Sequence, residues 1–334
     1  MGLVYSASDV AKISQLLASA ENEVAADPQT SAWLKASDNT SLINKTEALM
    51  QTRQFSATES LSHLTDRTIA LRSGGEDSGA WGNIRQDKGN HSGRSFYQTA
   101  ITIGVDKTDG ISTTGIMANI NRGHDSGDGG NEKHVQAGVG IYNSLGSDEG
   151  LFLDSALSYQ LYHQDLSYSS ELGKLPGKAD SNMVLFSARA GYTFKFDEKS
   201  MFVEPVVGLD VGYLDGYSHA NEVVKVEQKS GYPAYAVAGL RMGKHWSSSD
   251  NKGTTLVASA LRQQSIGNSA PGTIMSDTYK SRDVAAKEDN RYRFDVSLQS
   301  TVADNLSANV AVGTSNGNNF ATDYTGRVGI SYSF

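Results

Sequence analysis

Thr322-Asp-Tyr-Thr-Gly-Arg-Val-Gly-Ile-Ser-Tyr-Ser-Phe334 closes the chain, and its reading decides the fold. Tyr324, Val328, Ile330, Tyr332 and Phe334 share one parity, while Asp323, Thr325, Arg327, Ser331 and Ser333 share the other. That is the two-residue period of a strand with unlike faces. Only Gly326 interrupts the apolar row, which runs to Phe334 with no polar tail. A terminal strand must be paired to be stable. With its apolar face in water it would be an aggregation hazard, whereas against lipid the same face is correctly solvated and the strand closes a barrel. A soluble antiparallel sheet ending at this point is the other reading.

Composition narrows the choice. The 334 residues include 34 Gly and 15 Tyr but 5 Pro, a balance that suits long, closely packed strands better than a helix-rich enzyme. No run reaches the roughly 18 uncharged apolar residues of a membrane helix, and mean hydropathy is -0.40. A barrel escapes that test because only alternate residues face lipid. Cys is absent, which removes disulfides, thiolate metal sites and a thiol nucleophile. The net charge of -8 is dispersed without a basic run, which argues against nucleic acid as a partner. Met1-Gly2-Leu3 opens no charged-then-apolar leader; for an exported protein the sequence would then be a carboxyl-terminal portion.

Residues 1–54 read as a helical linker or stalk. Ser8 to Glu23 carries Ile13, Leu16, Leu17 and Ala20 at helical spacing and stops at Asp27-Pro28; a second helix begins near Asn39-Thr40. Ser56-Ala-Thr-Glu59 has the form of a capping box, and no Gly or Pro follows before Gly74, so a helix is expected from Ser56 to Arg72. At about 1.5 Å per residue it is roughly 25 Å long, the height of a barrel's lipid-facing band. It carries Glu59, His63, Asp66, Arg67 and Arg72 beside Leu61, Leu64, Ile69 and Leu71. Residues 55–78 thus form one segment, and 79–334 another.

From Gly79 the helical period is replaced by a strand period in twelve segments, at about 79–88, 94–107, 111–122, 132–146, 149–168, 181–196, 201–218, 232–246, 253–266, 289–303, 305–316 and 322–334. The clearest row is Val184, Phe186, Ala188, Ala190, Tyr192, Phe194 and Phe196. At 38% apolar content such a row arises by chance about once in a thousand trials. Parity is ambiguous at 232–246 and 253–266. Connections alternate between tight turns, such as Thr108-Asp-Gly110 and Gly146-Ser-Asp-Glu149, and long polar stretches at 169–180, 220–231 and 267–288. Short turns at one end and long loops at the other fit an up-and-down barrel. Arg85, Asp106, Asp154, Arg189, Lys195, Glu204, Asp210, Arg293, Asp295 and Arg327 lie opposite the aromatic rows. In a sandwich they would face solvent. In a barrel they line a lumen, and twelve strands leave room for about one helix of roughly 10 Å diameter.

The helix Ser56 to Arg72, the first strand Gly79-Ala-Trp-Gly-Asn-Ile-Arg85, Phe202-Val-Glu-Pro205 followed by Gly208, and the terminal Val328-Gly-Ile-Ser-Tyr-Ser-Phe334 occur in an order that resembles the translocator (β-barrel) domain of monomeric autotransporters of Gram-negative bacteria. The resemblance covers about 55–334, and more loosely 1–54. It implies an all-β transmembrane fold, a twelve-stranded antiparallel outer-membrane barrel with the N-terminal α-helix in its pore, acting as a monomer that brings an N-terminal passenger to the cell surface. It implies as partners the outer-membrane lipid and lipopolysaccharide, the barrel-assembly machinery, periplasmic chaperones and the chain's own passenger. Val328, Ile330, Tyr332 and Phe334 resemble the carboxyl-terminal assembly signal of such barrels. One subgroup of the family cuts its passenger free at an Asn-Asn pair on the pore helix. Ser56 to Arg72 contains no Asn, so the helix is expected to stay attached or be cut by another agent.

Two rival functions share these residues. An enzyme on a barrel scaffold would draw on His91 beside Ser92, His124 with Asp125 and Asp128, or His163 near Asp165, but H-E-x-x-H and G-x-x-x-x-G-K-[ST] are absent. These histidines read as ordinary loop or strand residues, and His124 and His134 sit at no spacing that fixes a metal site. No catalytic residue, cofactor or metal is assigned. A small channel plugged by its own N-terminal segment is the second rival.

Overall fold

The computed structural model describes residues 78–334 apart from 92, 128–129, 171–172, 197–199, 221–223, 248–252, 268–270, 277–279 and 286–288, together with 47, 50, 52–54, 56–57, 59–60 and 66–72 upstream. The helix expected from Ser8 to Glu23 lies outside these residues, as do the start of the second helix at Asn39-Thr40 and His63. Strands follow in the order β1 (Gly79–His91), β2 (Arg94–Asp109), β3 (Ser112–Gly127), β4 (Gly130–Gly146), β5 (Gly150–Ser170), β6 (Gly173–Phe196), β7 (Met201–Leu214), β8 (Tyr217–Ala220), β9 (Val224–Gln228), β10 (Ala234–Ser247), β11 (Gly253–Ser265), β12 (Pro271–Ser276), β13 (Lys280–Ala285), β14 (Arg291–Ala303), β15 (Leu306–Gly317) and β16 (Phe320–Ser333).

Twelve of them, β1–β7, β10, β11 and β14–β16, form one closed barrel, with β1 paired antiparallel to both β2 and β16. The final strand therefore has no free edge: Gly79 pairs with Ser333 and His91 with Phe320, and the Phe334 N–H donates to the Ser78 carbonyl at 3.1 Å. Alternation decides which face is which. Along β1 and β2, Ile84, Ile101 and Ile103 are exposed while Arg85, Thr102 and Asp106 are buried. The outward aliphatics of neighbouring strands merge into an apolar surface far larger than water tolerates on a monomer. The inward polar groups are buried because the bore is occupied. Inward aromatics need room on the neighbouring strand, and glycine supplies it. A Cβ on Gly104 would meet the Trp81 ring at 2.6 Å, and one on Gly115 would meet the Tyr142 ring at 2.2 Å.

Two departures from the sequence reading have physical causes. The polar stretches at 169–180, 220–231 and 267–288 are not simply loops. β5 and β6 stay paired out to Ser170 and Gly173, well beyond the roughly 9–11 residues that span a bilayer, while β8, β9, β12 and β13 form a second sheet in the order β13-β12-β9-β8. Asp323, assigned to the inner parity, is exposed, because the β1–β16 register shifts between Lys88 and Gly89, a bulge that turns Asp323 outward to accept from the Asn90 amide at 3.1 Å. The ladder between β6 and β7 skips from Gly191↔Val206 to Phe194↔Val203, beside Pro205, which has no N–H to donate. The parity left open in β10 and β11 is resolved with Tyr235, Val237 and Val257 inward and Leu240, Met242 and Leu256 outward. Apolar residues on both faces had masked the alternation.

Candidate functional site

Helical residues run down the bore from the long-strand end to the tight-turn end, and the wall meets them at every level. At the outer end Met50 packs on Gly272 of β12, where a Cβ would meet the Met50 Cε at 2.7 Å. The Thr52 hydroxyl donates to Asp125 Oδ2 at 2.8 Å, and Arg53 donates to the Asp215 carbonyl with its guanidinium 5.2 Å from the Tyr217 ring centre. Ser56 Oγ donates to Gln136 Oε1 at 2.9 Å, and Gln136 Nε2 donates back to Ser60 Oγ at 2.8 Å. Outside the belt, donation from Asn182 (Nδ2 to Oδ2, 2.8 Å) and Tyr213 holds the Asp215 carboxyl below its ordinary range.

Charged pairs follow. Glu59 joins Arg85 of β1 to Arg291 of β14, the latter at 2.7 Å. Asp66 pairs with Arg327 of β16. Arg67 makes a forked contact with Asp106, Nε to Oδ2 at 2.8 Å and Nη2 to Oδ1 at 3.2 Å. That carboxylate also accepts from the Tyr142 hydroxyl at 2.6 Å, and the hydroxyl in turn accepts from Trp81 Nε1 at 2.7 Å. Arg72 ends the series on Asp154, with its Nε 3.8 Å from Glu204 and its guanidinium 3.9 Å from the Phe152 ring centre. All but the Asp66–Arg327 pair are nearly dry, so solvent screens them weakly and each depends on its partner.

Of the remaining residues singled out from sequence, Arg189 pairs with Asp210 at 2.7 Å and Arg293 with Asp295 at 2.9 Å, both within the wall. Lys195 sits at the turn end, 3.5 Å from Asp148. Ser56-Ala-Thr-Glu59 is not a helix start. Helical residues already occur at 47, 50 and 52–54, the Ser56 carbonyl accepts from Ser60 Oγ at 2.9 Å, and Glu59 is spent on Arg85 and Arg291. Thr52, Arg53, Gln136 and Arg291 went unrecognised in the sequence, and Asp125 was noted there only beside His124, not as a partner of the helix. Arg291 shares the inner parity of Arg293 and Asp295, which is a usable signal; the others are ordinary polar residues until the helix arrives.

Two constellations invite an enzymatic reading. Gly313-Thr-Ser-Asn-Gly317 has the G-x-S-x-G spacing, yet Ser315 lies within β15 and accepts from the Thr322 N–H at 3.3 Å, on no strand-to-helix elbow. His91, Asp125 and Thr52 cluster tightly, but Thr52 (3.1 Å) and Asp125 (2.6 Å) both reach the same ring nitrogen, Nε2. A relay needs one partner on each nitrogen.

Residues 78–313 match the family model described as the autotransporter β-domain. The chain belongs to the autotransporter β-domain family. Its fold is also that of solved autotransporter domains. The β domain of the Bordetella autotransporter BrkA superposes with TM-score 0.65 at 15% identity, covering 78% of this chain and 100% of that one. The translocator domain of NalP from Neisseria meningitidis gives TM-score 0.66 at 15% identity, over 85% and 97%. Among sequence relatives, the serine protease Sat autotransporter of Escherichia coli O6:H1 is 24% identical over 256 residues, 74% of this chain and 19% of that protein. The serine protease Pet autotransporter of E. coli O44:H18 is 23% identical over 278 residues, 80% and 21%. The chain thus spans about a fifth of the length of the curated relatives it matches. As an autotransporter β-domain, this barrel resides in the outer membrane and serves as a translocator for a passenger domain.

Proposed function

We propose that residues 1–54 are the passenger-proximal stalk, that 55–78 hold the pore segment and turn, and that 79–334 are the membrane barrel, whose lumen charges seat the helix as a plug once the passenger has reached the surface. The contacts made by the described helical residues from Met50 to Arg72 support this reading: they reach wall strands on several sides and toward both ends of the bore. Each charged contact contributes roughly 1–3 kcal/mol. The barrel itself performs no chemistry, so the protease named in its relatives belongs to their passengers. With no Asn between Ser56 and Arg72, the plug stays attached or is cut by another agent.

The barrel works as a monomer amid lipid and lipopolysaccharide, delivered by periplasmic chaperones to the barrel-assembly machinery. Val328, Ile330 and Tyr332, outward on β16, and the exposed Phe334 that follows it form the strip that machinery reads. Deleting Phe334 is expected to reduce folded barrel in outer membranes several-fold, while refolding in detergent changes little; heat-modifiable gel mobility of membrane fractions measures both. A general folding defect in detergent would place the effect in stability instead.

Fusing a small reporter domain upstream of Gly2 tests the translocator reading. The expected outcome is a reporter that external protease removes from intact cells, and a reporter retained in the periplasm beside a folded barrel would sink it. A plugged channel with no cargo role predicts that second result.

A further inference from the structure

Between the helix at Asp66 and Ile69 and a wall formed largely by β10, β11 and β14–β16, the bore retains a cavity that leaves about 60 Å³ for the centres of water-sized molecules. That is room for several waters, or for one small ion with water. Five guanidinium groups line it, those of Arg85, Arg189, Arg241, Arg293 and Arg327, against two carboxylates, Asp66 and Asp295. Four of the five have a carboxylate in direct contact.

Arg241 differs. It is 1% exposed, yet its Nε and Nη1 have no hydrogen-bond partner, and its nearest carboxylate, Glu204, stands 3.7 Å away. Glu204 cannot move to it freely, because Oε1 already accepts from Thr193 at 2.8 Å and Arg72 lies 3.8 Å off on the same carboxylate. One carboxylate is thus shared between two buried guanidiniums and hydrogen-bonds neither. Arginine offers donors and no acceptor, so what completes this site must be acceptor-only toward it. Water would satisfy the donors and leave the charge, whereas an anion satisfies both.

We propose that the cavity beside the helix is an anion site centred on Arg241, taking a small inorganic anion of halide or phosphate size. This rests on the bore's geometry and stands apart from cargo transport. The direct test is diffraction from crystals of the full chain grown in sodium bromide: an anomalous bromide peak within hydrogen-bond reach of the Arg241 guanidinium is expected, and a cavity without that peak overturns the proposal. In detergent at constant ionic strength, replacing gluconate by inorganic phosphate is expected to raise the melting temperature saturably. The rise is roughly 2–4 °C at tenfold excess over Kd. Arg241→Gln abolishes it and Arg241→Lys retains part. An equal rise in wild type and Arg241→Gln would place the anion elsewhere and refute the assignment, and the bromide experiment decides the matter even where Arg241→Gln fails to fold.

Discussion

Replacing Glu59 with Ala is expected to unseat the helix more than any other single change. Glu59 is a buried carboxylate bridging Arg85 and Arg291, and its loss strands cationic groups in a place water barely reaches. Removing one partner of a buried pair costs about 3–5 kcal/mol. At 1.4 kcal/mol per factor of ten, the unplugged population rises about a hundredfold to a few thousandfold. Asp87, within 2.6 Å of Arg85, leaves that cation partly compensated, so the lower end of the range applies if Arg85 alone dominates. Asp66→Ala is the internal comparison. Asp66 and Arg327 are 14% and 16% exposed and border the cavity, so water reaches the survivor and the cost is smaller, about 1–3 kcal/mol. Open-state occupancy in planar bilayers measures both variants. Equal effects would mean that burial of the Glu59 pair is not what anchors the helix.

The second large effect lies on the outside. Val139 is 60% exposed midway along β4, between Val135 and Leu145 on the same outward row. If that row meets lipid, Val139→Arg costs about 2–4 kcal/mol when the chain folds into vesicles. Lys133→Arg, on the same parity beyond the apolar row, is expected to be neutral. Denaturant titration in vesicles reads the difference, and an Arg at 139 as harmless as one at 133 would show that the aliphatic belt does not face hydrocarbon.

Much of the fold was legible because lipid and lumen impose opposite chemistry on adjacent residues. Val184 to Phe196 is a case in which every outward position is apolar while Ser187 and Arg189 point in. Legibility failed where that contrast failed. In β10 and β11 the inward Val237 and Val257 face the cavity rather than a charged stretch of helix, so both parities read as apolar. The outer sheet escaped notice because β8 and β9 have only 4 and 5 residues, too few for a period to declare itself. The capping-box spacing at Ser56 and Glu59 is an accident of two residues that each serve the wall. Which acid meets which base was beyond reach in principle, since pairing depends on the depth and rotation of the helix in the bore. Arg67, for example, meets Asp106 on β2 while its neighbour Asp66 reaches β16.

Single-channel recording of the intact chain beside a chain lacking residues 1–72, in the same bilayer and salt, tests the central claim most directly. A bore filled by its own helix predicts small conductance for the intact chain and a step several-fold larger for the shortened one. Equal conductance from the two, or a chain that folds as a water-soluble monomer without detergent or lipid and inserts in neither form, would contradict it.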